Sequence, residues 1–325
     1  MVEWIVYAIG SRDDIDWNGL PIDNEDDREK KRAELHQRWL QARLYDWTRS
    51  DAPLTQLEEK IRAKLATQRA VTPIWVTTDD TQTTVEKAER RHRGKRIAWL
   101  NMAHAHNTGG NYNIARGGGQ EEDAGTNSDG VVILGLNSMH REGTSVREMI
   151  NSGEHHIVYR DARHIPPGGN VFAPTRFVTS EPQIDCYMIA TAFADFRAYV
   201  PFMVPYTERP YFFSRSGAPR NEDDLDIRCS LDIVGTIKTA LWHDIDVLIL
   251  GAGGCGAFQH DPAREARLWK QALSRFDSVF DEVVFAILPD PKRPNTFRDF
   301  VDTFTDRPPA SFLANDDMES LPDYM

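Results

Sequence analysis

The spacing of apolar residues predicts a chain that begins with helices and then alternates strands with helices. From Asp23 to Trp47 the chain is strongly charged, and its apolar residues recur at helical spacing. The acidic residues at the start of this stretch favour a helix, because a helix N-terminus stabilises negative charge. A second helix is predicted from Pro53 to Gln68, with its leucines on one side. Residues 1–71 are therefore predicted to form a helical N-terminal extension.

Beyond residue 72 the apolar runs become short enough for strands. The run from Ile74 to Thr78 is followed by a helix, which a capping box formed by Thr83 and Glu86 is predicted to open. A buried run from Ile97 to Leu100 comes next. Strand, helix and strand in so short a span predict a βαβ unit, which requires parallel strands and a right-handed crossover.

The second half of the chain continues the same alternation. Asp261-Pro262 predicts a helix start, with Asp at the N-cap and Pro at the first position, and that helix is expected to end near Phe276. Another helix is predicted around Leu231 to Leu241, after an irregular stretch from 205 to 225. The further strands are predicted at 171–173, 184–192, 247–250 and 283–288.

This alternation predicts an α/β sandwich with a mixed sheet. Ligands in such folds bind at the carboxyl ends of strands. Two glycine-rich loops, 107–119 and 251–257, both follow predicted strands, and we expect them to be neighbours. The polar tail from Asp306 onward is expected to fray.

Composition limits the classes of partner. The 325 residues include 38 Lys and Arg against 50 Asp and Glu, for a net charge of −12. A nucleic-acid-binding protein usually carries a basic face, so we expect no direct nucleic-acid binding. A phosphate-bearing ligand remains compatible with this charge, because loops and helix N-termini bind phosphate through backbone N–H groups.

Cysteine usage and the chain start bear on location. Cys186, Cys229 and Cys255 are widely separated and form no Cys-x-x-Cys, which disfavours a disulfide framework and fits a reducing compartment. The N-terminus lacks a basic leader, and no apolar stretch approaches the roughly 18 residues of a membrane helix. We expect a soluble, cytoplasmic protein without membrane association, although effectors exported by specialised systems can lack such signals.

The stretch from Asn101 to Glu122 carries the first candidate chemistry. It follows a buried strand, contains five glycines and ends in the paired carboxylates Glu121 and Glu122. Glycines let the backbone approach a ligand closely and point N–H groups at an anion. An anion-binding loop followed by an acid pair suggests chemistry on a phosphorylated sugar. His104 and His106 face one side of the strand end, but no third ligand is obvious nearby, so zinc is the minor alternative.

The second glycine loop, Gly251 to Phe258, lies between a strand and a capped helix. That context is typical of a phosphate-binding loop. A dinucleotide-binding oxidoreductase is the rival interpretation. Its fingerprint belongs to the first βα turn, with an acidic residue about 20 positions further on, whereas this loop lies near the C-terminus.

Both motifs resemble those of one family. Gly109-Gly110-Asn111, eight residues and then Gln120-Glu121-Glu122 resemble the Gly-Gly-Gly, spacer, Gln-Glu-Glu signature of poly(ADP-ribose) glycohydrolases. Asn111 replaces the third glycine, and Arg116 to Gly119 is an insert relative to that signature. The run from Leu250 to Pro262 resembles the phosphate loop of macrodomain-type ADP-ribose sites. The resemblance covers residues 72 to about 304 and implies a macrodomain-like three-layer α/β/α sandwich of the bacterial type.

The resemblance also implies roles for individual residues. Glu122 is expected to be the general acid–base, and Glu121 to bind and orient the ribose hydroxyls. In the competing interpretation, Glu121 and Glu122 are surface acids. In the same interpretation, Phe193 and Phe258 are core aromatics. No cofactor and no metal are implied. The expected substrate-binding residues are Asn107, Gly109, Gly110, Asn111, Gln120, Phe193, Gly253, Gly254, Cys255, Gly256, Ala257 and Phe258.

The function that follows is hydrolysis of ADP-ribosyl linkages. The substrate is either the ribose–ribose bond of poly(ADP-ribose) or a mono-ADP-ribosyl–protein bond, and the sequence leaves both open. The alternative is a non-catalytic ADP-ribose reader, which would have no need of the acid pair. We expect a monomer that acts on ADP-ribose or poly(ADP-ribose) carried by modified proteins. Its predicted parts are the helical extension 1–71, a glycohydrolase domain 72–305 and a polar tail 306–325.

Overall fold

The computed structural model describes residues 30, 33–34, 37–38, 41–47, 53–67, 70–103, 120, 127–135, 165, 168–194 and 222–305. The chain divides into two compact units: unit 1 comprises residues 1–52 and 98–193, and unit 2 comprises residues 53–97 and 194–325. No helix in the described ranges is long and apolar enough to cross a membrane. In chain order the elements are β1 (Arg43–Asp46), α1 (Leu54–Thr67), β2 (Ile74–Thr77), α2 (Thr81–Arg91), β3 (Ile97–Met102), α3 (Gly130–Gly135), β4 (Gly169–Phe177), β5 (Ile184–Thr191), α4 (Glu222–Trp242), β6 (Val247–Leu250), α5 (Pro262–Arg275), β7 (Glu282–Ala286) and α6 (Asn295–Phe304).

Unit 1 is built on strands in the order β1-β4-β5-β3. β4 pairs antiparallel with β1 and with β5, whereas β5 and β3 are parallel. Trp99 on β3 is fully buried, and its ring Nε1 donates to the hydroxyl of Thr175 at 3.2 Å. At the start of α3, a side chain on Gly130 would meet the Met188 sulfur at 2.9 Å. Close packing of α3 on the sheet therefore requires glycine there.

β1 corrects the prediction of one continuous helix from Asp23 to Trp47. The described residues up to 41 are helical, but Arg43–Asp46 is a strand whose Leu44 lies opposite Val171 of β4. Leu44, expected on the apolar face of the helix, is 39% exposed. Pairing with a distant strand overrides the local helical pattern here, because backbone hydrogen bonds across a sheet edge do not depend on side-chain periodicity.

Unit 2 is built on three parallel strands in the order β6-β7-β2, with helices packed on them. The core lies around Phe285 of β7, which contacts Trp269 of α5 edge-on and stacks on Phe304 of α6 at a centroid distance of 4.9 Å. α6 was absent from the sequence prediction. Its apolar residues Phe297, Phe300, Val301 and Phe304 nevertheless recur at helical spacing.

The helix starts were predicted with mixed success. Asp261 caps α5 by accepting from the Arg264 N–H at 2.7 Å, with Pro262 at the first position, as predicted. The capping box at Thr83 is wrong, since α2 begins at Thr81 and its N-cap is Asp80. The Asp80 carboxylate accepts from the Thr83 N–H at 2.6 Å, so Thr83 supplies the amide being capped.

Two further differences concern pairing and length. The strands of the predicted βαβ unit are both parallel to a neighbour, but β2 pairs with β7 and β3 pairs with β5. α4 begins at Glu222, inside the stretch predicted to be irregular. The parallel strands of unit 2, the antiparallel pairs of unit 1 and the packed helices confirm an α/β fold with mixed strand directions.

Candidate active site

The predicted site residues fall into two groups. Glu121, Glu122, Asn107, Gly109, Gly110 and Asn111 lie outside the described residues, as do His104 and His106. Their roles, and the expected proximity of the two glycine loops, stay predictions. Gln120, Phe193 and the loop from Gly253 to Phe258 are described, one by one, below.

Gln120 is fixed to the carboxyl end of β3. Its side-chain carbonyl accepts from the Met102 N–H at 2.9 Å, and its amide donates to the Leu100 carbonyl at 2.7 Å. The adjoining Ala103 N–H donates to the Thr191 carbonyl at 3.0 Å, which ties the strand end to β5. Gln120 immediately precedes Glu121 in the sequence. The clamp therefore fixes the residue that directly precedes the acid pair beside the carboxyl end of β3.

The second glycine loop leaves β6, whose four residues are all buried. It is folded by its own backbone: the Gly253 N–H donates to the Gly251 carbonyl at 2.9 Å, and the Cys255 N–H donates to the Ala252 carbonyl at 3.1 Å. Gly254 has φ +74°, in the left-handed region that favours glycine. Gly254 is thus needed for the shape of the loop.

Three backbone N–H groups of this loop are not used by its internal bonds. Within the described ranges, the N–H groups of Gly254, Gly256 and Ala257 donate to no protein acceptor. Gly256 and Ala257 are exposed, so an anion can reach them from solvent. Neighbouring N–H groups without protein acceptors are the donors from which loops build anion-binding sites.

Arg293 lies beside the same loop and was missed by the sequence prediction. A side-chain carbon on Gly256 would lie 3.6 Å from Nη1 of Arg293. In the part of the chain that the structure describes, the guanidinium makes no hydrogen bond or ion pair. An available cation next to exposed N–H groups suits a phosphate ligand in a protein of net charge −12. The sequence signal that could have pointed to Arg293 is its position in the loop after β7, the last strand.

Buried polar side chains lie directly behind the loop. His260 is 3% exposed and Glu265 is 0% exposed, and His260 Nδ1 is hydrogen-bonded to a carboxylate oxygen of Glu265. His260 Nε2 lies 2.5 Å from the carbonyl oxygen of Ala194. Sequence reasoning missed both residues, because nothing in the local pattern distinguishes a buried His–Glu pair on a helix start from surface polar residues.

The aromatic and cysteine residues of the predicted site are mostly buried. Phe193 is 3% exposed and Phe258 is half-buried, so core packing accounts for Phe193, and its stacking role stays a prediction. Cys255 is 2% exposed, and burial raises the pKa of its thiol well above the ordinary value. Cys186 is similarly buried, and burial raises its pKa to about 12. Both are therefore free thiols that pack as small buried side chains.

A buried carboxylate also lies in unit 1, at the start of α3. Asp129 is 1% exposed, accepts from the Arg176 N–H at 2.6 Å and pairs with the Arg38 guanidinium. Burial raises the pKa of Asp129 to about 6, although Arg38 opposes that shift. This contact fastens a helical residue of the N-terminal segment to α3 and β4.

Comparison with known proteins identifies the fold. Residues 23–150 match the family model described as microbial-type PARG, catalytic domain. The poly(ADP-ribose) glycohydrolase (PARG) of Deinococcus radiodurans, solved in complex with ADP-ribose, is 21% identical, with a TM-score of 0.56 over 84% of this chain and 97% of that one. The PARG of Thermomonospora curvata is 18% identical, with a TM-score of 0.58 over 84% of this chain and 89% of that one. No curated protein matches the sequence significantly.

A third structure, the Thermomonospora curvata enzyme bound to the inhibitor ADP-HPD, is 19% identical, with a TM-score of 0.57 over 84% of this chain and 88% of that one. These likenesses confirm the predicted macrodomain-like α/β/α sandwich. Together with the family model, which matches residues 23–150, they confirm the predicted resemblance to bacterial-type poly(ADP-ribose) glycohydrolases.

Proposed function

We propose that this protein binds ADP-ribose units through the glycine loop of unit 2 and hydrolyses their glycosidic linkage with Glu122 as general acid–base. The family is one of hydrolases that act on poly(ADP-ribose) glycosidic bonds. The relatives from Deinococcus radiodurans and Thermomonospora curvata carry ADP-ribose and an ADP-ribose-like inhibitor in their structures. We extend that ligand class to this chain.

The observation that carries the proposal is the set of available N–H groups at Gly254, Gly256 and Ala257. Within the described residues they have no protein acceptor, two of the three are exposed, and Arg293 lies beside them. A diphosphate loses hydrogen bonds to water when it binds, and protein donors must replace them. Backbone N–H groups of a loop can do so without a cationic side chain. The dipole of α5, which begins directly after the loop at Pro262, adds to the attraction.

Cleavage requires more than binding. A glycosidic bond breaks through an oxocarbenium-like transition state, and the leaving oxygen must receive a proton. A carboxylic acid supplies that proton at neutral pH when burial or a neighbouring carboxylate raises its pKa. Adjacent residues project in different directions, so Glu121 and Glu122 take unequal roles, with Glu122 donating the proton and Glu121 holding the ribose hydroxyls. The Gln120 clamp supports this assignment, because it holds the residue directly before the pair at the carboxyl end of β3.

A non-catalytic reader is the competing function, since the same N–H groups would serve binding alone. The acid pair favours the enzyme. The substrate is settled by incubating the purified protein with chain-labelled poly(ADP-ribose) and, separately, with mono-ADP-ribosylated protein, then identifying the products. We expect free ADP-ribose from at least one of them. Tight binding of ADP-ribose without release from either substrate would establish the reader.

A further inference from the structure

The polar cluster behind the glycine loop has no part in the chemistry described so far. It brings together Cys229 of α4, His260 just before α5, and Glu265 in the first turn of α5. Cys229 and Glu265 are each 0% exposed and His260 is 3% exposed. Burying a histidine and a carboxylate is costly unless they are paired, so their arrangement needs a reason.

Two hydrogen bonds hold the His260 ring in one orientation. Nε2 lies 2.5 Å from the Ala194 carbonyl, which can only accept, so this nitrogen carries a proton. Nδ1 is bonded to Glu265 Oε1 on the opposite edge of the ring. A ring held at both nitrogens cannot flip or tilt without breaking a buried bond.

The held ring is packed directly against the bend of the loop. A Cβ built on Gly254 would lie 2.3 Å from Nδ1 and 2.4 Å from Cε1 of His260. The His260 N–H also donates to the Gly254 carbonyl at 3.1 Å. The Gly254 peptide is therefore fixed twice by His260: the ring packs against one face, and the backbone N–H donates to the Gly254 carbonyl.

From these contacts we propose that the loop-backing pair, His260 with Glu265, is a positioning device that sets the aim of the Gly254, Gly256 and Ala257 N–H groups at the ligand phosphates. The inference rests on the proposed function, since it assigns these N–H groups to a diphosphate. The pair touches no ligand itself. It keeps the loop in its binding shape before the ligand arrives, which lowers the ordering cost of binding.

A metal ion is the other occupant that these residue types suggest. Cys229 Sγ, His260 Nδ1 and a Glu265 oxygen lie within 4.8 Å of one another. Nδ1 and Oε1 are in direct hydrogen-bond contact, however, which leaves no room for an ion between them. Burial also raises the pKa of Cys229, which disfavours the thiolate that a metal requires. The geometry points to the hydrogen-bonded pair.

The test compares four variants for ADP-ribose affinity by calorimetry and for folding by circular dichroism. His260→Ala and Glu265→Leu should each weaken binding about ten-fold or more, the usual cost of leaving buried polar groups unpaired. Glu265→Gln keeps a hydrogen-bonding partner for Nδ1, because an amide can donate as well as accept, and should lose much less. Cys229→Ala, the matched control, keeps the ring's bonds to Glu265 and Ala194 and removes only the long contact of Sγ with Nδ1 at 3.8 Å, so it should bind normally. A Cys229→Ala loss equal to that of His260→Ala would indicate a shared metal and overturn the assignment.

A double variant separates positioning from general stability. Gly254→Ala should itself weaken binding, because its methyl group meets the ring. If both changes act through one contact, Gly254→Ala should add little loss in a His260→Ala background. If the double variant lost affinity by the product of the two single losses, the changes would act independently and the proposal would be contradicted. Wild-type affinity in folded His260→Ala would contradict it as well.

Hydrogen exchange provides a readout that needs no ligand. In His260→Ala the amides of Gly253, Cys255 and Gln259, which are hydrogen-bonded within the loop, should exchange faster, while those of β6 and α5 keep their protection. Should the wild-type protein fail to bind ADP-ribose, the proposed function fails, and this measurement still decides whether the pair holds the loop. Unchanged loop exchange would overturn the pair's role even in a protein that binds ADP-ribose.

Discussion

At the scale of single residues, some side chains are proposed to take part in the reaction, whereas others hold the backbone in place. Gln120 was predicted to bind substrate, but both ends of its side chain are bonded to the backbone of β3. Its predicted contact with substrate stays a prediction, while its hold on the strand end is a feature of the fold. Glu121 and Glu122, which follow it in the sequence, stay the side chains proposed for the reaction.

Changing Glu122 to glutamine tests the proposed acid. The amide preserves size but cannot donate a carboxylic proton, so turnover should fall by on the order of 10²–10⁴, the usual worth of positioned acid–base catalysis. ADP-ribose affinity, measured by calorimetry, should change little, because product binding involves no proton transfer. Glu121→Gln should do the reverse, with a smaller loss of turnover and a larger loss of affinity. Near-normal cleavage by Glu122→Gln would show that the roles are assigned wrongly.

Asp129 predicts a pH dependence of stability. Its pKa is raised from 3.8 to about 6 in the fold, so the folded state binds a proton that the unfolded chain releases between these values. The contribution is fully present below pH 3.8 and is lost as the pH rises through about 6. Relative to Asp129→Asn, the wild-type free energy of unfolding should therefore fall by at most about 3 kcal/mol across this window.

Urea unfolding of both proteins from pH 4 to pH 8 measures that difference. Asp185→Asn is a control whose stability difference should stay nearly flat over this range, because a hydrogen bond from Arg176 lowers the pKa of Asp185 below its usual value. Its stabilising contribution is present at neutral pH and lost only on acidification. A flat difference for Asp129→Asn would mean that Arg38 keeps the carboxylate ionised throughout.

At the scale of elements, local signals were readable and distant pairings were not. The start of α5 at Asp261-Pro262 and the glycine loop before it were predicted, because capping and backbone freedom are encoded within a few neighbouring residues. β1 was taken for helix because its pairing partner, β4, lies far along the chain. The buried pair of His260 and Glu265 escaped prediction for a similar reason, since the Ala194 carbonyl that orients the ring comes from another part of the sequence.

Gly256 offers a test of the loop as an element. A side-chain carbon there would meet Arg293 Nη1 at 3.6 Å, an ordinary contact, so Gly256→Ala should fold and bind ADP-ribose nearly normally. Gly256→Asp places a carboxylate at the same point, where it can pair with Arg293 and repel the diphosphate. Its ADP-ribose affinity should fall at least about ten-fold, with the melting temperature little changed. Equal affinities of the alanine and aspartate variants would place the phosphates elsewhere.

At the scale of the whole molecule, the N-terminal 71 residues are more than an appendage. Within unit 1, β1 pairs with β4, and Arg38 pairs with the buried Asp129. Within unit 2, Leu57 of α1 is 2% exposed, and Lys64 donates to the Ile245 carbonyl at 2.5 Å. The boundary at residue 72, where the pattern of apolar residues changes, therefore marks a change of secondary structure. Residues before this boundary contribute contacts within each unit.

Two shortened chains, 53–325 and 72–325, test this organisation. The first lacks β1 and Arg38, so Asp129 loses its charged partner while α1 is retained. The second also loses α1 and leaves the Ile245 carbonyl without the Lys64 ammonium. Removing one partner of a buried charged pair typically costs about 3–5 kcal/mol, so both chains should unfold at lower urea concentration than the full chain, and 72–325 at the lowest. A chain 72–325 that unfolds cooperatively at the full-length midpoint would show that residues 72–305 fold independently of everything before them.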